Sequence, residues 1–402
     1  RAAGAPDVAP DTVSYTTAIY AYAQGRTPGD ARHAMRLLAE MVAEHARVPH
    51  GDVVPDAVVC NSVIVAIARS KEPGGGDRAE RLLRKMQEMA AAPGGSLADV
   101  APNVRTFNAV IDAWARSGDA SAPDRCEGLL DEMRALAVRD RRVAPTAATY
   151  NTVLNAWSRS GDRRAASRAE DLLRRMAPDR GGPGPNGISY NTLMSVWARS
   201  GDKDAAAKAR EIFDTMVRRH AAGGAADVRP TTLTCNTLLN AYASCMDGPG
   251  AAAVGRLRDL LDRMGRGAGK SDAAAAMDVI TYNTALRACS RAGGADREEA
   301  FALASELFGE LAARGDGGDD AGGGLRPDSY TFGNMLNCVA NLLPRNGGGD
   351  ARHRHADAVF TACVEAGEVN EIILKILKRT VSPDEYAALG LKWRRKRRTT
   401  RK

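Results

Sequence analysis

The stretch that decides the fold is ATYNTVLNAWSRSGD at residues 148–162, which is followed by DLLRRM at residues 171–176. In the first segment, apolar residues recur at the spacing of one helical face, at Tyr150, Val153, Leu154 and Trp157. Gly161 stands where the end of a helix favours a left-handed residue. The second segment has the same helical character. Together the two segments predict a helical hairpin.

Both segments recur along the chain, which indicates a repeat array. The first recurs as VSYTTAIYAYAQG (13–25), VVCNSVIVAIARS (58–70), RTFNAVIDAWARSGD (105–119), ISYNTLMSVWARSGD (188–202), LTCNTLLNAYASC (233–245), ITYNTALRACSRAGG (280–294) and YTFGNMLNCVAN (330–341). The units are counted from Thr12, Ala57, Val104, Ala147, Gly187, Thr232, Val279 and Ser329, at spacings of 40 to 50 residues. Because a single hairpin cannot bury its apolar face alone, we expect an all-α fold, an α-solenoid of stacked hairpins.

Composition excludes several classes of protein. The 402 residues include seven cysteines with no CxxC pair, which argues against a disulfide scaffold and a structural zinc site. No apolar run reaches the roughly 18 residues of a membrane span. The formal charge is +7, but residues 392–402 hold eight basic residues and no acidic ones, which leaves −1 for the rest. A basic excess is therefore not a property of the repeats.

No motif for catalysis stands out. The six histidines share no repeat position, and the GKS at 269–271 lacks the glycine spacing of a phosphate loop. Neither the zinc deaminase signature nor a carboxylate cluster in a separate α/β domain is present. We therefore expect no enzyme activity, no cofactor and no metal site.

The fifth residue of each unit forms a distinctive column. It is Thr16 in the first unit and Gly333 in the eighth. The six units between them have Asn61, Asn108, Asn151, Asn191, Asn236 and Asn283. An asparagine amide competes for local backbone groups and is a mediocre helix residue, so a local hydrogen bond is one interpretation. The other is a ligand, because six amides in one phase would line one surface, and an amide suits the edge of an unpaired base.

The last residue of each unit is also polar. These residues are Asp56, Asn103, Thr146, Asn186, Thr231, Asp278 and Asp328. Asp, Asn and Thr are favoured helix N-caps, so capping is expected of them. A further role in contacting a ligand beside the fifth residue is the open alternative.

The thirteenth residue is arginine in five units, at Arg69, Arg116, Arg159, Arg199 and Arg291. Eight residues after the fifth correspond to about 80° of rotation on an ideal helix, so both positions border one face. Arginines in register can contact phosphates at one per repeat. The alternative is that they are exposed helix-end arginines favoured by the macrodipole.

The combined pattern VxYNTLI…AxARSG…A…LLxxM…P(D/N) resembles the pentatricopeptide repeat, a helical hairpin that binds single-stranded RNA. The resemblance covers about residues 12–343 and is most specific in 104–246. A longer hairpin turn and long loops between units depart from the family pattern, but they leave the fifth and last positions untouched. The resemblance implies a right-handed superhelix of P-type repeats without a catalytic domain.

In that family the fifth and last residues of a repeat jointly select the base. The resemblance therefore implies a G reader in Thr16 with Asp56, and U readers in Asn236 with Asp278 and Asn283 with Asp328. It implies pyrimidine readers in Asn61 with Asn103 and Asn151 with Asn186, and weakly specified pyrimidine readers in Asn108 with Thr146 and Asn191 with Thr231. The second residues, which would lie between bases, are Val13, Val58, Ala148, Ile188, Leu233 and Ile280, and Arg105 breaks this apolar pattern. The expected RNA resembles 5′-G-Y-Y-Y-Y-U-U-3′.

The domain organisation follows from the pattern. We expect a loop from a preceding repeat at residues 1–11, about seven and a half hairpins at 12–343, capping helices at 344–391 and a basic tail at 392–402. By resemblance, the protein would bind pyrimidine-rich single-stranded RNA in a mitochondrion or chloroplast, in RNA processing, stabilisation or translation, with possible protein partners and no membrane. The alternative is a protein-protein interaction scaffold of the tetratricopeptide-like type. The repeated amide favours RNA, because a protein-binding groove has no reason to repeat one amide six times.

Overall fold

The computed structural model describes residues 10–25, 27–48, 51–70, 72–91, 98–222, 228–245, 252–266, 277–315, 325–344 and 349–390. All regular secondary structure within these ranges is helical, which confirms the predicted all-α repeat fold. The chain forms two compact units, Arg1–Val196 and Trp197–Lys402. The proposed loop at residues 1–11 and the basic tail lie almost wholly outside the described residues, as does the GKS tripeptide.

Each predicted unit begins with one helix and continues with a second. The first helices are α1 (Thr12–Gln24), α3 (Ala57–Ser70), α5 (Val104–Ser117), α7 (Ala147–Ser160), α9 (Gly187–Ser200), α11 (Thr232–Ser244), α13 (Val279–Cys289) and α15 (Ser329–Leu342). The second helices are α2 (Pro28–Arg47), α4 (Gly75–Ala91), α6 (Ala122–Ala137), α8 (Ala165–Arg175), α10 (Ala205–Ala221), α12 (Ala252–Arg266), α14 (Arg297–Gly315) and α16 (Gly349–Ala366). All eight first helices begin at the residue that the sequence pattern predicts.

Within each compact unit the core lies between the helices. There, first helices pack on one another, as α3 packs on α1 and on α5 and α13 packs on α11 and on α15. They also pack on the second helix of their own hairpin, as α5 does on α6 and α13 does on α14. The aromatic and aliphatic residues at the fourth and eleventh positions fill this core, with Tyr150 and Trp157 almost completely buried. Small residues such as Ala79 and Ala169 are fully buried on the second helices and allow close approach of the backbones.

Side-chain hydrogen bonds join successive hairpins inside the first compact unit. The indole N–H of Trp114 donates to Glu80 on the preceding hairpin at 2.9 Å, and that of Trp157 donates to Glu127 at 3.2 Å. Burial raises the pKa of Glu127, against the opposing effect of the neighbouring Arg168 and Arg175. Each buried carboxylate is thus paired with an indole and with arginines, as a buried charge requires.

The C-terminal part of the chain continues the repeat geometry. Helix α16 packs on α15 as the second helix of the eighth hairpin, which therefore extends past residue 343. Helix α17 (Glu371–Thr380) packs on α15 in the way that successive first helices pack, and a last helix, α18, covers residues 383–390.

Two features are absent from the described residues. No helix there is both long enough and apolar enough to cross a membrane. No group of three or more histidine, cysteine, aspartate or glutamate side chains is arranged there to hold a metal ion.

Two glycine substitutions test how local backbone conformation stabilises the hairpins. Gly161 ends α7 with φ +67°, so Gly161→Ala places a Cβ in the left-handed region and should destabilise the fold by about 1–2 kcal/mol. Gly128 lies inside α6, where an added Cβ meets nothing within 4 Å, so Gly128→Ala should stabilise by up to about 1 kcal/mol. Urea unfolding followed by circular dichroism measures both. Midpoints that move in the same direction would contradict this interpretation.

Candidate nucleic-acid interface

Every first helix begins with a side-chain cap at the same position. The residue before the helix accepts a hydrogen bond from the backbone N–H of the third helical residue, at 2.7 to 3.4 Å. The capping residues are Asp11, Asp56, Asn103, Thr146, Asn186, Thr231, Asp278 and Asp328. The capping role expected of the last residues is therefore confirmed. Because the cap fixes where the helix starts, it also fixes which way every later residue points.

The third residue of six units completes this cap and forms a further column beside the fifth and last residues. The residues are Thr106, Thr149, Ser189, Thr234, Thr281 and Thr331, all completely buried. Each hydroxyl oxygen accepts a hydrogen bond from the backbone N–H of the capping residue at 3.1 to 3.2 Å. The signal was present in the sequence, because Ser or Thr three residues after an Asp, Asn or Thr is a reciprocal capping pattern.

Three fifth-position amides contact the last residue of their own unit. The Nδ2–Oδ1 pairs are Asn151 with Asn186 at 3.1 Å, Asn236 with Asp278 at 3.1 Å and Asn283 with Asp328 at 3.0 Å. Their members are 35 to 45 residues apart in sequence. The fold thus brings together the two columns that the sequence identifies separately.

In two of these pairs the amide oxygen is held as well. The Ser189 hydroxyl donates to Asn151 Oδ1 at 2.7 Å, and the Thr331 hydroxyl donates to Asn283 Oδ1 at 2.7 Å. Both hydroxyls belong to the third-residue column of the following unit. With nitrogen and oxygen both engaged, each amide is held in one orientation.

The other predicted pairs are not joined in this way. No hydrogen bond links Thr16 to Asp56, Asn61 to Asn103 or Asn108 to Thr146 among the described residues; the Thr16 hydroxyl donates instead to the Thr12 carbonyl at 2.7 Å. Asn191 lies in the first compact unit and Thr231 lies in the second, so the structure does not test this pair. A buried Oδ1 atom without a partner among the described residues occurs in Asn61, Asn108, Asn191 and Asn236. Unpartnered buried polar atoms are uncommon, and their occurrence in four of the six asparagines marks the fifth position as unusual.

The second-residue column is apolar and faces solvent. Val13, Val58, Ile188, Leu233 and Ile280 are 61 to 68% exposed, and Ala148 is exposed as well. Single exposed apolar residues are ordinary, but the same exposure repeated at one helical position makes a row that is available to a ligand. Arg105, which interrupts the row, is also exposed.

Two grooves connect these columns in the first compact unit. A groove of about 450 Å³ is lined by Ala148 and Ile188, with Asn151, Asn186 and Asn155 also on its surface. A second groove, of about 540 Å³, has the equivalent lining of Val58, Arg105, Asn61, Asn103 and Tyr20. Both volumes lie in the range of small-molecule sites, about 300–1,000 Å³. Each groove combines the second residues of two successive units with the fifth and last residues of one.

The charge of the last residue differs from one repeat to another. Burial alone would raise the pKa of Asp278, but hydrogen bonds from the Thr281 hydroxyl, the Thr281 N–H and Asn236 outweigh it, so the pKa is lowered. Asp278 is therefore an anion at neutral pH and can only accept hydrogen bonds there. The neutral amide of Asn186, at the equivalent place, both donates and accepts.

Sequence comparison identifies the repeat. A family model described as the pentatricopeptide repeat domain matches residues 96–160 and 171–244. These two stretches are pentatricopeptide repeats. No relative was found among curated protein sequences.

Solved structures of similar proteins include maize PPR10, a pentatricopeptide repeat protein, with 20% identity and a TM-score of 0.48 over 93% of this chain. PPR10 in complex with an 18-nucleotide psaJ RNA element is another, with 17% identity and a TM-score of 0.29 over 92% of this chain. The chain spans about half the length of these structures, 47% and 57% respectively.

The arginine column has mixed surroundings. Arg69 donates to the Ala23 carbonyl at 2.8 Å, at the end of the preceding unit's first helix, and Arg116 pairs with Asp112 at 2.7 Å. Arg159, Arg199 and Arg291 are exposed. Of these three, Arg159 has no hydrogen bond or ion pair with a described residue. Phosphate contact remains a prediction for the column, and Arg159 is its best-placed member.

The ninth residue of each repeat forms another column on the same surface. Asn155 and Tyr20 occupy this position in the two grooves, and Asp112 lines the first of them as well. Farther along the chain, Arg287 donates to Asn240, again between ninth residues of adjacent repeats. The column is mostly polar, and its recurrence in one phase was the available signal.

The pH dependence of stability tests the Asp278 cap. Because its pKa is lowered in the folded state, its ionised form stabilises the fold above the ordinary value of 3.8, and this contribution is lost as the pH falls through the lowered value. Asp278→Asn keeps an N-cap without a charge. We expect the stability advantage of the wild type over this variant to shrink below pH 4 in urea titrations. An advantage that is constant or grows with acidity would contradict the assignment.

Proposed function

We propose that this protein binds single-stranded RNA, with one base in each groove between successive repeats. The observation that carries the proposal is the groove at Ala148 and Ile188, where apolar side chains form the walls and the Asn151–Asn186 amide pair provides hydrogen-bonding groups. A base has an apolar face and a polar edge, so it matches such a groove in both respects. The match of residues 96–160 and 171–244 to the pentatricopeptide repeat supports the same ligand.

The proposed selectivity is for 5′-G-Y-Y-Y-Y-U-U-3′. Support comes from the different groups at the last position, since the anionic Asp278 can only accept hydrogen bonds whereas the Asn186 amide can also donate. A base-edge N–H, such as that of uracil, suits the acceptor beside Asn236. The hydrogen bonds that hold Asn151 and Asn283 support selectivity too, because a fixed amide discriminates better than a rotating one.

The proposed mode of action is occupancy. RNA held along the array would be shielded from nucleases and kept from forming its own structure, in organellar RNA processing, stabilisation or translation, and the protein would need no chemistry of its own. The organellar setting, in a mitochondrion or chloroplast, is carried only by the family resemblance. A scaffold for protein partners would also use exposed apolar residues, but it has no evident need for amides paired with the caps.

A panel of RNAs tests the proposal. We expect the G-Y-Y-Y-Y-U-U RNA to bind more tightly than a purine-swapped RNA and more tightly than the matching DNA, in fluorescence anisotropy with the full chain. Equal affinity for all three would exclude the proposed selectivity, and no binding to any would favour the scaffold alternative.

Substitution of a single fifth-position amide tests the proposed recognition at one base. Asn236→Ala removes the proposed contact in the sixth groove, so it should weaken binding to the cognate RNA by about 1–3 kcal/mol, roughly 5- to 150-fold in Kd. Discrimination at that base should fall with it. Asn341→Ala is the matched control, because Asn341 also loses a side-chain hydrogen bond, to the Ser290 carbonyl at 2.9 Å, but lies outside the fifth column. Equal losses in the two variants would point to stability rather than recognition.

Salt dependence tests the arginine column. If Arg159 contacts a phosphate, Arg159→Gln should reduce the slope of log K against log salt by about 0.7, the value for one contact to a single strand. Base selectivity should be unchanged. Arg141→Gln, on the exposed turn after α6, is the control and should leave the slope as it is. An unchanged slope in Arg159→Gln would remove this residue from the interface.

A further inference from the structure

The eighth repeat and helix α17 reproduce most of a base site that the sequence pattern does not reveal. Helix α17 begins at Glu371, 42 residues after α15 begins, which is within the spacing of the other units. Asn370 caps it by accepting a hydrogen bond from the Ile373 N–H at 3.0 Å, as the other last residues cap their helices. Arg379, at the ninth position, donates to Asn337 at the ninth position of α15, at 2.7 Å. Helix α17 is therefore in register as the first helix of a ninth repeat.

This register gives a further pair of exposed second residues. Tyr330 is the second residue of α15 and is 73% exposed, and Ile372 is the second residue of α17 and is 64% exposed. Ala148 and Ile188 hold the same two positions in an earlier pair of repeats, and there they line one groove. Tyr330 is the aromatic member of this column in the eight repeats, and an aromatic ring stacks on any base.

The selecting amide is absent from this site. The fifth residue is Gly333, which is buried, and a Cβ there would meet the side chains of Ile373 and Ile376 at 3.5 Å. Apolar groups of α17 therefore occupy the space in which other repeats place their asparagine. The polar group that remains is Asn370, whose oxygen is already engaged in the cap.

Helix α17 also carries positive charge. Lys375 occupies the fifth position of α17 and is exposed, without an ion pair to any described residue. Lys378 and Arg379 follow on the same helix, against the single acidic residue Glu371 in its first turn. A cationic surface next to an aromatic residue is the usual composition of a site that binds a nucleotide without reading it.

We propose that Tyr330 and Ile372 hold one additional nucleotide, 3′ of the seven read by the preceding repeats, by stacking and without base selectivity. The inference rests on the proposed RNA-binding function. It makes the footprint of the array eight nucleotides, of which the last contributes affinity alone.

A length series tests this inference with the full chain. The probes are a seven-nucleotide RNA of sequence 5′-GCCCCUU-3′, its four one-nucleotide 3′ extensions, and an extension that ends in an abasic residue. We expect each base to increase affinity at least about fivefold, because stacking contributes about 1–3 kcal/mol per base. The four bases should agree within about threefold, and the abasic extension should add little.

Variants assign the gain to the stacking residue. Ile372 borders the eighth groove alone, so Ile372→Ala should reduce the gain and leave the affinity for the seven-nucleotide RNA unchanged. Tyr330 also borders the seventh groove, so Tyr330→Ala should weaken binding of both RNAs and abolish the gain, measured as the ratio of the eight- to the seven-nucleotide affinity. Tyr330→Phe should keep both. Val138→Ala removes a side chain of comparable exposure outside the repeat columns and should change neither.

The outcomes separate the two proposals. If the seven-nucleotide RNA binds but no extension adds affinity, or if the gain survives in Tyr330→Ala, the eighth site is wrong and the proposed function stands. If the gain depends strongly on which base is added, the site reads bases and the inference is also wrong. If the seven-nucleotide RNA itself fails to bind, the proposed function fails and the eighth site falls with it.

Discussion

The interaction on which the structure depends is the hydrogen bond from the third residue of each first helix to the side chain that caps it. This bond recurs from Asp11 to Asn370 at 2.7 to 3.4 Å. A helix that started one residue earlier or later would turn every side chain by about 100°. The second, fifth and ninth columns would then leave their common face. A local bond worth about 1 kcal/mol therefore determines the geometry of the whole interface.

The same capping residues also hold the fifth-position amides, so one side chain serves both fold and site. Asp278 accepts a hydrogen bond from the backbone N–H of Thr281, on the helix that it caps. It accepts another from the side chain of Asn236, on the first helix of its own unit. This double use explains why capping and ligand contact could not be separated from the sequence, since Asp, Asn and Thr satisfy both demands. It also couples neighbouring repeats, because the last residue of one unit caps the first helix of the next. A change in the capping residue is therefore expected to affect stability and recognition together.

Charge plays a smaller part in the described residues than the total of +7 suggests. Several arginines in the first compact unit are bound to internal partners: Arg125 pairs with Glu80, Arg175 with Glu127, and Arg69 with a helix-end carbonyl. These bonds join successive hairpins. The surface formed by the fifth and last residues is instead made of amides, hydroxyls and a few carboxylates. Recognition by hydrogen bonding and stacking is consistent with that composition.

By itself, the sequence determined the helical hairpins, the first residue of all eight first helices and the columns that share a face, because these depend on local periodicity and capping residues. The third and ninth columns also recur in the sequence, but their residue types are less distinctive than the asparagines of the fifth column. Tertiary structure alone decided that Asn151 meets Asn186, since a contact across 35 residues depends on how two hairpins pack. It likewise decided that α17 continues the array, because the residues EIILKILKRT lack the repeat signature and only their packing on α15 and the cap at Asn370 reveal the register.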